Sequence, residues 1–205
     1  MVKMKHMLTQ KRAEMGISSL ILFLAMIFVA TVAANVLIQT SSSLQSKALE
    51  AGKQAQAQVS THIGVLAIFS DDGRDNIIEN AYIQTRLSPG SDTVKINDTV
   101  VSVFTSNTKA DLIYKSGPCD NSSEGFSTDL NGKGYFTIEY FKNASNHKAG
   151  YIMPGEVVKI CLKLPENVGE DREIKFSIIP KVGIPTTTTI LTPSSIVTKN
   201  TFLYP

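Results

Sequence analysis

The side chains that could carry out chemistry are few in this sequence and lie far apart. The two cysteines are Cys119 and Cys161, and the three histidines are His6, His62 and His147. The sequence contains no glycine-rich phosphate loop, no H-E-x-x-H or C-x-x-C metal spacing and no G-x-S-x-G nucleophile elbow. No serine or cysteine can be paired with His147 as a nucleophile with its base. We therefore predict a protein that is not an enzyme and has no metal site and no cofactor.

The charged residues support the same conclusion. Glu139 and Glu156 are predicted to be surface residues rather than an acid/base pair. No basic stripe with interleaved aromatic residues indicates a nucleic-acid partner. Residues 71–76 gather carboxylate and amide oxygens around a glycine, but their spacing differs from that of an EF-hand. We predict a solvated turn there, with a structural cation as the alternative.

The charge of the chain is very unevenly distributed, and one uncharged segment is long enough to span a membrane. The 205 residues have 20 Lys and Arg against 18 Asp and Glu, for a formal net charge of +2. Residues 1–16 hold a net +3, whereas Ile17 to Ile38 hold no charge. As a helix this uncharged segment would extend about 33 Å, enough to cross a bilayer core. The basic residues before it predict that this end faces the cytoplasm and that the following chain is exported.

Three fates of the apolar segment are open. It could stay as a permanent anchor, or be removed as an ordinary secretory signal cut after the small residues at 32–34. In the third, cleavage falls between Gly16 and Ile17, and the apolar helix stays on the mature chain. We favour the third, because the helical pattern continues past the point where a signal peptide would end.

The helix is predicted to continue to about Thr61 and to carry a narrow, weakly polar stripe. Such spacing is typical of one helix face, and small residues allow helices to approach closely. With the apolar half of the helix, the stripe predicts packing against identical helices, since burying apolar surface stabilises by about 25 cal/mol per Å². The positions predicted for this packing are Leu20, Leu24, Leu37, Leu44, Ala48, Ala51, Ala55 and Val59.

The leader ending in Gly16, followed by ISSLILFLAMIFVATVAANVLIQTSSSLQSKALEAGKQ, resembles the N-terminus of archaeal flagellins (archaellins), within the type IV pilin-like class. Bacterial type IV pilins usually carry Glu at the fifth mature position, where this chain has Ile21, so the resemblance favours an archaellin. It implies a class III signal peptide cut after Gly16 by a prepilin-peptidase-like enzyme. It also implies an assembly ATPase and a membrane platform as partners, and a helical filament with a β-rich exterior.

From Ile63 onward, short alternating segments between turn residues predict about seven strands, including a hairpin at 94–104 around Asn97. The predicted fold class is α+β: a cleaved leader (1–16), a long hydrophobic helix (17–62) and an antiparallel β-sandwich or barrel-like domain (63–205). Residues 186–191 are predicted to be extended. The apolar tail at 202–204 is predicted to dock on this domain or on a neighbouring subunit.

A disulfide between Cys119 and Cys161 is predicted, because the chain is exported. Alternation places Cys161 on the lysine-bearing face of the strand at 157–164, where the segment around Cys119 could reach it. Closing a loop of about 43 residues would stabilise the fold by about 4 kcal/mol in the chain-entropy model. Two free thiols are the alternative.

Three N-glycosylation sequons begin at Asn97, Asn121 and Asn143. Each lies in a turn-rich stretch, where an oligosaccharide could project from the surface. We predict that at least one of them is modified.

Taken together, these features predict a structural subunit of the archaeal motility filament. The precursor would lie in the cytoplasmic membrane, and the mature chain in an extracellular polymer with itself or with paralogous subunits. The alternatives are an archaeal type IV adhesion pilin and a membrane-anchored β-sandwich that binds a ligand. The mature N-terminus would be Ile17 for either filament subunit, Met1 for an anchor and near Asn35 for ordinary secretion.

Overall fold

The computed structural model describes residues 2–70, 76–119, 133–196 and 198–204, with only the backbone for residues 2–15 and for Lys133. It contains two compact units, Met1–Lys53 and Gln54–Pro205. One helix, α1, spans Val2–Ser60. The strands are β1 (Ile63–Ser70), β2 (Ile78–Leu87), β3 (Val94–Lys95), β4 (Thr99–Phe104), β5 (Lys109–Tyr114), β6 (Lys133–Lys142), β7 (Tyr151–Ile152), β8 (Val157–Val168), β9 (Glu173–Pro180), β10 (Thr186–Leu191) and β11 (Thr201–Tyr204).

Helix α1 begins inside the predicted leader and ends one residue before the predicted end. Its sequence contains no proline and is dominated by Ala, Leu, Ile, Gln and Met, which favour or tolerate helix. The chain leaves the helix at Thr61, whose N–H donates to the carbonyl of Ala57 (3.0 Å).

Nine strands form one sheet in the order β10-β9-β4-β5-β6-β8-β2-β1-β11, and β3 pairs separately with β7. The neighbours in the large sheet are antiparallel except β5 and β6, which are parallel. A parallel pair needs a long connection in the chain, and the sequence between Tyr114 and Lys133 is long enough for one. The prediction of an α+β fold with an antiparallel barrel-like domain is therefore confirmed, with one parallel step inside it.

The predicted hairpin at 94–104 is wrong. Residues Ile96–Asp98 form a 3-10 turn, after which β4 pairs with β5 and β9 rather than folding back on β3. The reason is burial, since Ile96 is only 2% exposed and lies in the core. A tight reversal at Asn97 would have left this side chain outside.

The core lies on the inner face of the large sheet. Along β8, Val158, Ile160, Leu162 and Leu164 are buried, as the alternation predicted. The two ends of the sheet also meet, because the hydroxyl of Thr186 on β10 donates to the carbonyl of Ile63 on β1 (2.5 Å). The two edges of the curled sheet therefore lie next to each other at this point.

The C-terminal tail docks on its own unit. Strand β11 pairs antiparallel with β1, so Leu203 packs against the core while Phe202 stays 75% exposed. Residues 186–191 form β10, as the sequence predicted.

Candidate assembly and modification sites

The large apolar side chains of α1 between Ile17 and Leu44 are uncovered. Ile17, Leu20 and Leu24 are 57–61% exposed, and Leu37 and Leu44 are each 68% exposed. A surface of this kind removes itself from water when lipid or another helix is available.

The few hydroxyl groups within this apolar stretch are satisfied by the helix itself. Ser19 donates to the carbonyl of Gly16 (3.0 Å) and Thr31 to that of Phe28 (2.8 Å). Thr40 donates to the carbonyl of Val36 (2.9 Å). Such internal bonds reduce the cost of moving the segment out of water. By length and composition, Gly16–Ser60 can span a membrane, although a signal sequence meets the same test.

The predicted stripe forms a continuous surface feature over its first part. A shallow depression on α1 is lined by Leu37, Leu44 and Ala48 together with Thr40, Ser41 and Gln45. Farther along, Ala51, Ala55 and Val59 are exposed, and Val59 is 74% exposed. These positions are therefore accessible to a second helix.

The segment that joins the last turn of α1 to β1 is fixed by hydrogen bonds within the unit 54–205. Thr61 is 1% exposed. Its carbonyl accepts from the N–H of Ile184 (2.8 Å), and its hydroxyl accepts from the N–H of Asp92 (3.3 Å). Gly183 has φ +124°, and a Cβ there would lie 2.6 Å from the Thr61 carbonyl oxygen. Only glycine fits this close approach.

His62 continues the same junction. Its backbone N–H donates to the hydroxyl of Ser91 (3.0 Å), and its Nδ1 lies 2.9 Å from the hydroxyl of Ser88. Its Nε2 lies 3.3 Å from the hydroxyl of Thr186. These two contacts hold the His62 ring in place at the junction.

A disulfide joins Cys119 and Cys161, with their Cα atoms 5.7 Å apart. It lies on the outer face of the sheet, as the alternation along β8 predicted. Cys161 is fully buried and packs with Tyr82 and Phe69. The Phe69 and Tyr82 rings stack with their centroids 5.3 Å apart. The disulfide thus fastens the crossover after β5 to a small apolar cluster outside the main core.

Two of the three sequons can be placed. Asn97 lies in the 3-10 turn before β4, and Asn143 lies in the connection between β6 and β7; both are exposed. Asn121 lies outside the described residues, as do residues 71–75 of the loop considered for a cation. Among the residues that are described, no group of three His, Cys, Asp or Glu side chains could hold a metal ion.

The prediction that Glu156 is a surface residue is wrong, because it is fully buried. One carboxylate oxygen accepts from Nδ1 of His147 (2.8 Å) and from the N–H of Ala144 (3.3 Å). The other accepts from the N–H of Met153 (2.9 Å). Burying a carboxylate costs free energy, and it is tolerated only when several hydrogen-bond donors replace the lost water. Sequence reasoning missed the network because its donors come from a loop whose path only the fold defines.

Tyr140 completes this network. Its hydroxyl accepts from the N–H of Gly150 (2.9 Å) and donates to the carbonyl of Tyr151 (3.0 Å). Burial raises the pKa of Tyr140 above its ordinary value, and the nearby charge of Glu156 adds to the rise. These contacts hold the connection between β6 and β7 in place.

Known proteins can now be compared with this geometry. The sequence model of the archaeal-type flagellin family matches residues 13–190. This chain belongs to that family. Flagellin B2 of Methanocaldococcus jannaschii is 31% identical to it over 210 residues, covering 95% of each chain.

Solved structures share the fold of this flagellin. The crystal structure of archaeal flagellin FlaB1 from M. jannaschii covers 70% of this chain and 97% of its own, with a TM-score of 0.60 and 12% identity. The archaeal flagellum of Methanospirillum hungatei covers 93% of this chain and 99% of its own, with a TM-score of 0.64 and 13% identity.

The predicted resemblance is therefore confirmed. The flagellin is a structural protein, a subunit of the archaellum, which is a filament on the outside of the cell.

Proposed function

We propose that this flagellin is made as a membrane precursor, matured by cleavage after Gly16, and polymerised through α1 into the core of the filament for swimming. A prepilin-peptidase-like enzyme removes residues 1–16. An assembly ATPase and a membrane platform then move the mature chain from lipid into the filament, with itself or with paralogous subunits as neighbours. The observation that carries this proposal is the uncovered apolar surface of α1.

That surface needs a partner for energetic reasons. A large apolar side chain stabilises by about 1.5–3 kcal/mol when it passes from water to an apolar site. Leu20, Leu24, Leu37 and Leu44 are all more than half exposed in the isolated chain. Lipid can cover residues 17–38 before assembly, since they carry no charge.

Cleavage after Gly16 prepares the helix for self-packing. It removes a net charge of +3 from a chain of net charge +2, so the mature subunit has a net charge of −1. A near-neutral subunit reduces the repulsion between many identical copies. The small residues from Ala48 to Ala55 then allow close approach of neighbouring helices.

Residues 63–205 form the exterior of the filament. The disulfide stabilises this part of the chain outside the reducing cytoplasm. Asn97, Asn121 and Asn143 are its proposed attachment sites for oligosaccharides, where the glycans would extend into solvent.

Two measurements test the maturation and assembly steps. Mass spectrometry of sheared surface filaments should give an N-terminal peptide that begins at Ile17. Filaments should then be counted by negative-stain microscopy in cells that carry Leu44→Lys or, as a matched control, Ser42→Lys. Ser42 lies two residues before Leu44, which is about 200° around the helix axis, so the control places the same charge on the opposite face.

We expect Leu44→Lys to abolish filaments, because an unpaired charge in an apolar helix contact costs several kcal/mol. Ser42→Lys should leave filaments in place. An N-terminus at Met1 or near Asn35 would refute the processing step. Equal filament numbers in both variants would refute the packing face.

A further inference from the structure

A glycosylating enzyme must reach more than the asparagine of a sequon. The motif requires Ser or Thr two residues after the asparagine, so the hydroxyl as well as the amide must be presented. An exposed asparagine is therefore not a sufficient sign of a usable site. The structure separates the two requirements at Asn97 and Asn143.

At Asn97 the amide is accessible and the hydroxyl is not. Asn97 is exposed, but Thr99 is only 4% exposed. The Thr99 hydroxyl donates to the carbonyl of Lys95 (3.2 Å). Thr99 is the first residue of β4, where it pairs with Pro180 of β9. A hydrogen bond from the Thr99 N–H to the Ile96 carbonyl closes the turn that contains Asn97. Presenting this sequon in extended form requires the start of β4 to leave the sheet.

At Asn143 both groups are accessible. Asn143 and Ser145 are exposed, and they follow the last residue of β6, where no strand pairing holds them. Between them, the Ala144 N–H donates to Glu156. The following turn is closed by a bond from the His147 N–H to the Ala144 carbonyl (3.2 Å). No strand has to separate for this sequon to be read.

We propose that the two sequons are modified in different states of the chain: Asn143 accepts an oligosaccharide in the folded protein, whereas Asn97 accepts one only before β4 has paired. The inference rests on the proposed glycosylation of this flagellin. The donor is a lipid-linked oligosaccharide, and the catalyst is an oligosaccharide transferase. The asparagine amide nitrogen forms a bond to C1 of the sugar, the bond from C1 to the lipid phosphate oxygen breaks, and that oxygen leaves with the electron pair. The amide gives up one proton to a base of the transferase.

A difference in timing follows. Modification of Asn97 competes with folding after export, whereas modification of Asn143 does not. Because the Asn97 side chain stays exposed in the final fold, a glycan added early remains compatible with the finished domain. Occupancy of Asn97 should therefore fall whenever folding is faster than transfer.

The experiment uses the full mature chain in detergent micelles, with a purified oligosaccharide transferase and a lipid-linked oligosaccharide. Two variants isolate the sequons: Asn121→Gln with Asn143→Gln leaves Asn97, and Asn97→Gln with Asn121→Gln leaves Asn143. Synthetic peptides covering 92–102 and 138–148 serve as unfolded references. Glycopeptide mass spectrometry gives the rate of transfer at each site.

We expect Asn143 to react in the folded chain at a rate within severalfold of its peptide. Asn97 should react at least about tenfold more slowly in the folded chain than in its peptide, because only rare local opening exposes Thr99. A third variant, Val101→Ala, weakens the core contact of β4, where Val101 is fully buried. It should raise the Asn97 rate and leave the Asn143 rate unchanged.

The outcomes separate this inference from the proposal beneath it. Equal rates for Asn97 in the folded chain and in its peptide would overturn the timing while leaving glycosylation intact. A folded Asn143 as slow as folded Asn97 would overturn it as well. If neither peptide accepts an oligosaccharide and native filaments carry no glycan, then the proposed glycosylation is refuted, and the difference in timing with it.

Discussion

The buried carboxylate of Glu156 offers the sharpest test of the structure. We consider Glu156→Gln, which keeps the size of the side chain and removes its charge. The carboxylate accepts three hydrogen bonds, from Met153, His147 and Ala144. A glutamine has one accepting oxygen, so when it faces His147 and Ala144 its amide group meets the N–H of Met153, which is also a donor.

The cost follows from this mismatch. A buried donor left without a partner costs about 1–3 kcal/mol, and two bonds that were assisted by charge become neutral. Relief of the desolvation of a buried charge offsets part of this loss. We expect the free energy of unfolding to fall by about 2–3 kcal/mol. The matched control is Glu139→Gln, since Glu139 is 57% exposed and contacts Lys159 at the surface; its cost should stay below about 1 kcal/mol.

Two assays on the mature chain measure the difference. Chemical denaturation can be followed by tyrosine fluorescence, because the chain has 6 Tyr and no Trp. Hydrogen exchange then reports whether the amides of Met153 and Ala144 lose protection in Glu156→Gln alone. The reasoning is refuted if the two variants unfold at the same denaturant concentration, or if the Met153 amide keeps its protection. Glu156 would then not hold this loop through its hydrogen bonds.

Further predictions concern the junction, the disulfide and one surface carboxylate. Gly183→Ala should destabilise the fold by about 1–3 kcal/mol through strain at φ +124° and contact with Thr61; Gly90→Ala, with positive φ but open space, should cost less in the same denaturation assay. Replacing both cysteines by serine should cost about 4 kcal/mol and make unfolding insensitive to reductant; an unchanged midpoint would contradict this. The Ser102 hydroxyl (2.6 Å) lowers the pKa of Asp111, with help from Lys109. A lowered pKa contributes stability above the ordinary value of about 3.9 that is lost as pH falls through the folded value, so Ser102→Ala should flatten the loss of stability below about pH 4, and a profile parallel to that of the parent chain would refute the assignment.

Features that depend on local pattern could be predicted from the amino-acid sequence. The uncharged run from Ile17 to Ile38 and the helical spacing beyond it defined α1, because helix periodicity and length need no distant contact. Alternation along β8 placed Cys161 on the outer face for the same reason. The leader and the following apolar helix also carried the resemblance to the flagellin family.

Features that depend on pairing between distant segments were set by the three-dimensional fold. It turned the expected hairpin at Asn97 into a 3-10 turn because Ile96 is drawn into the core, and it made β5 and β6 parallel through the crossover that the disulfide fastens. It also buried Glu156 by bringing a loop of donors around it, and it buried Thr99 while leaving Asn97 in solvent. Local pattern gives the direction of a side chain along its own strand, but burial and hydrogen-bond partners are set by segments far away in the chain, and the sequence alone does not say which segments those are.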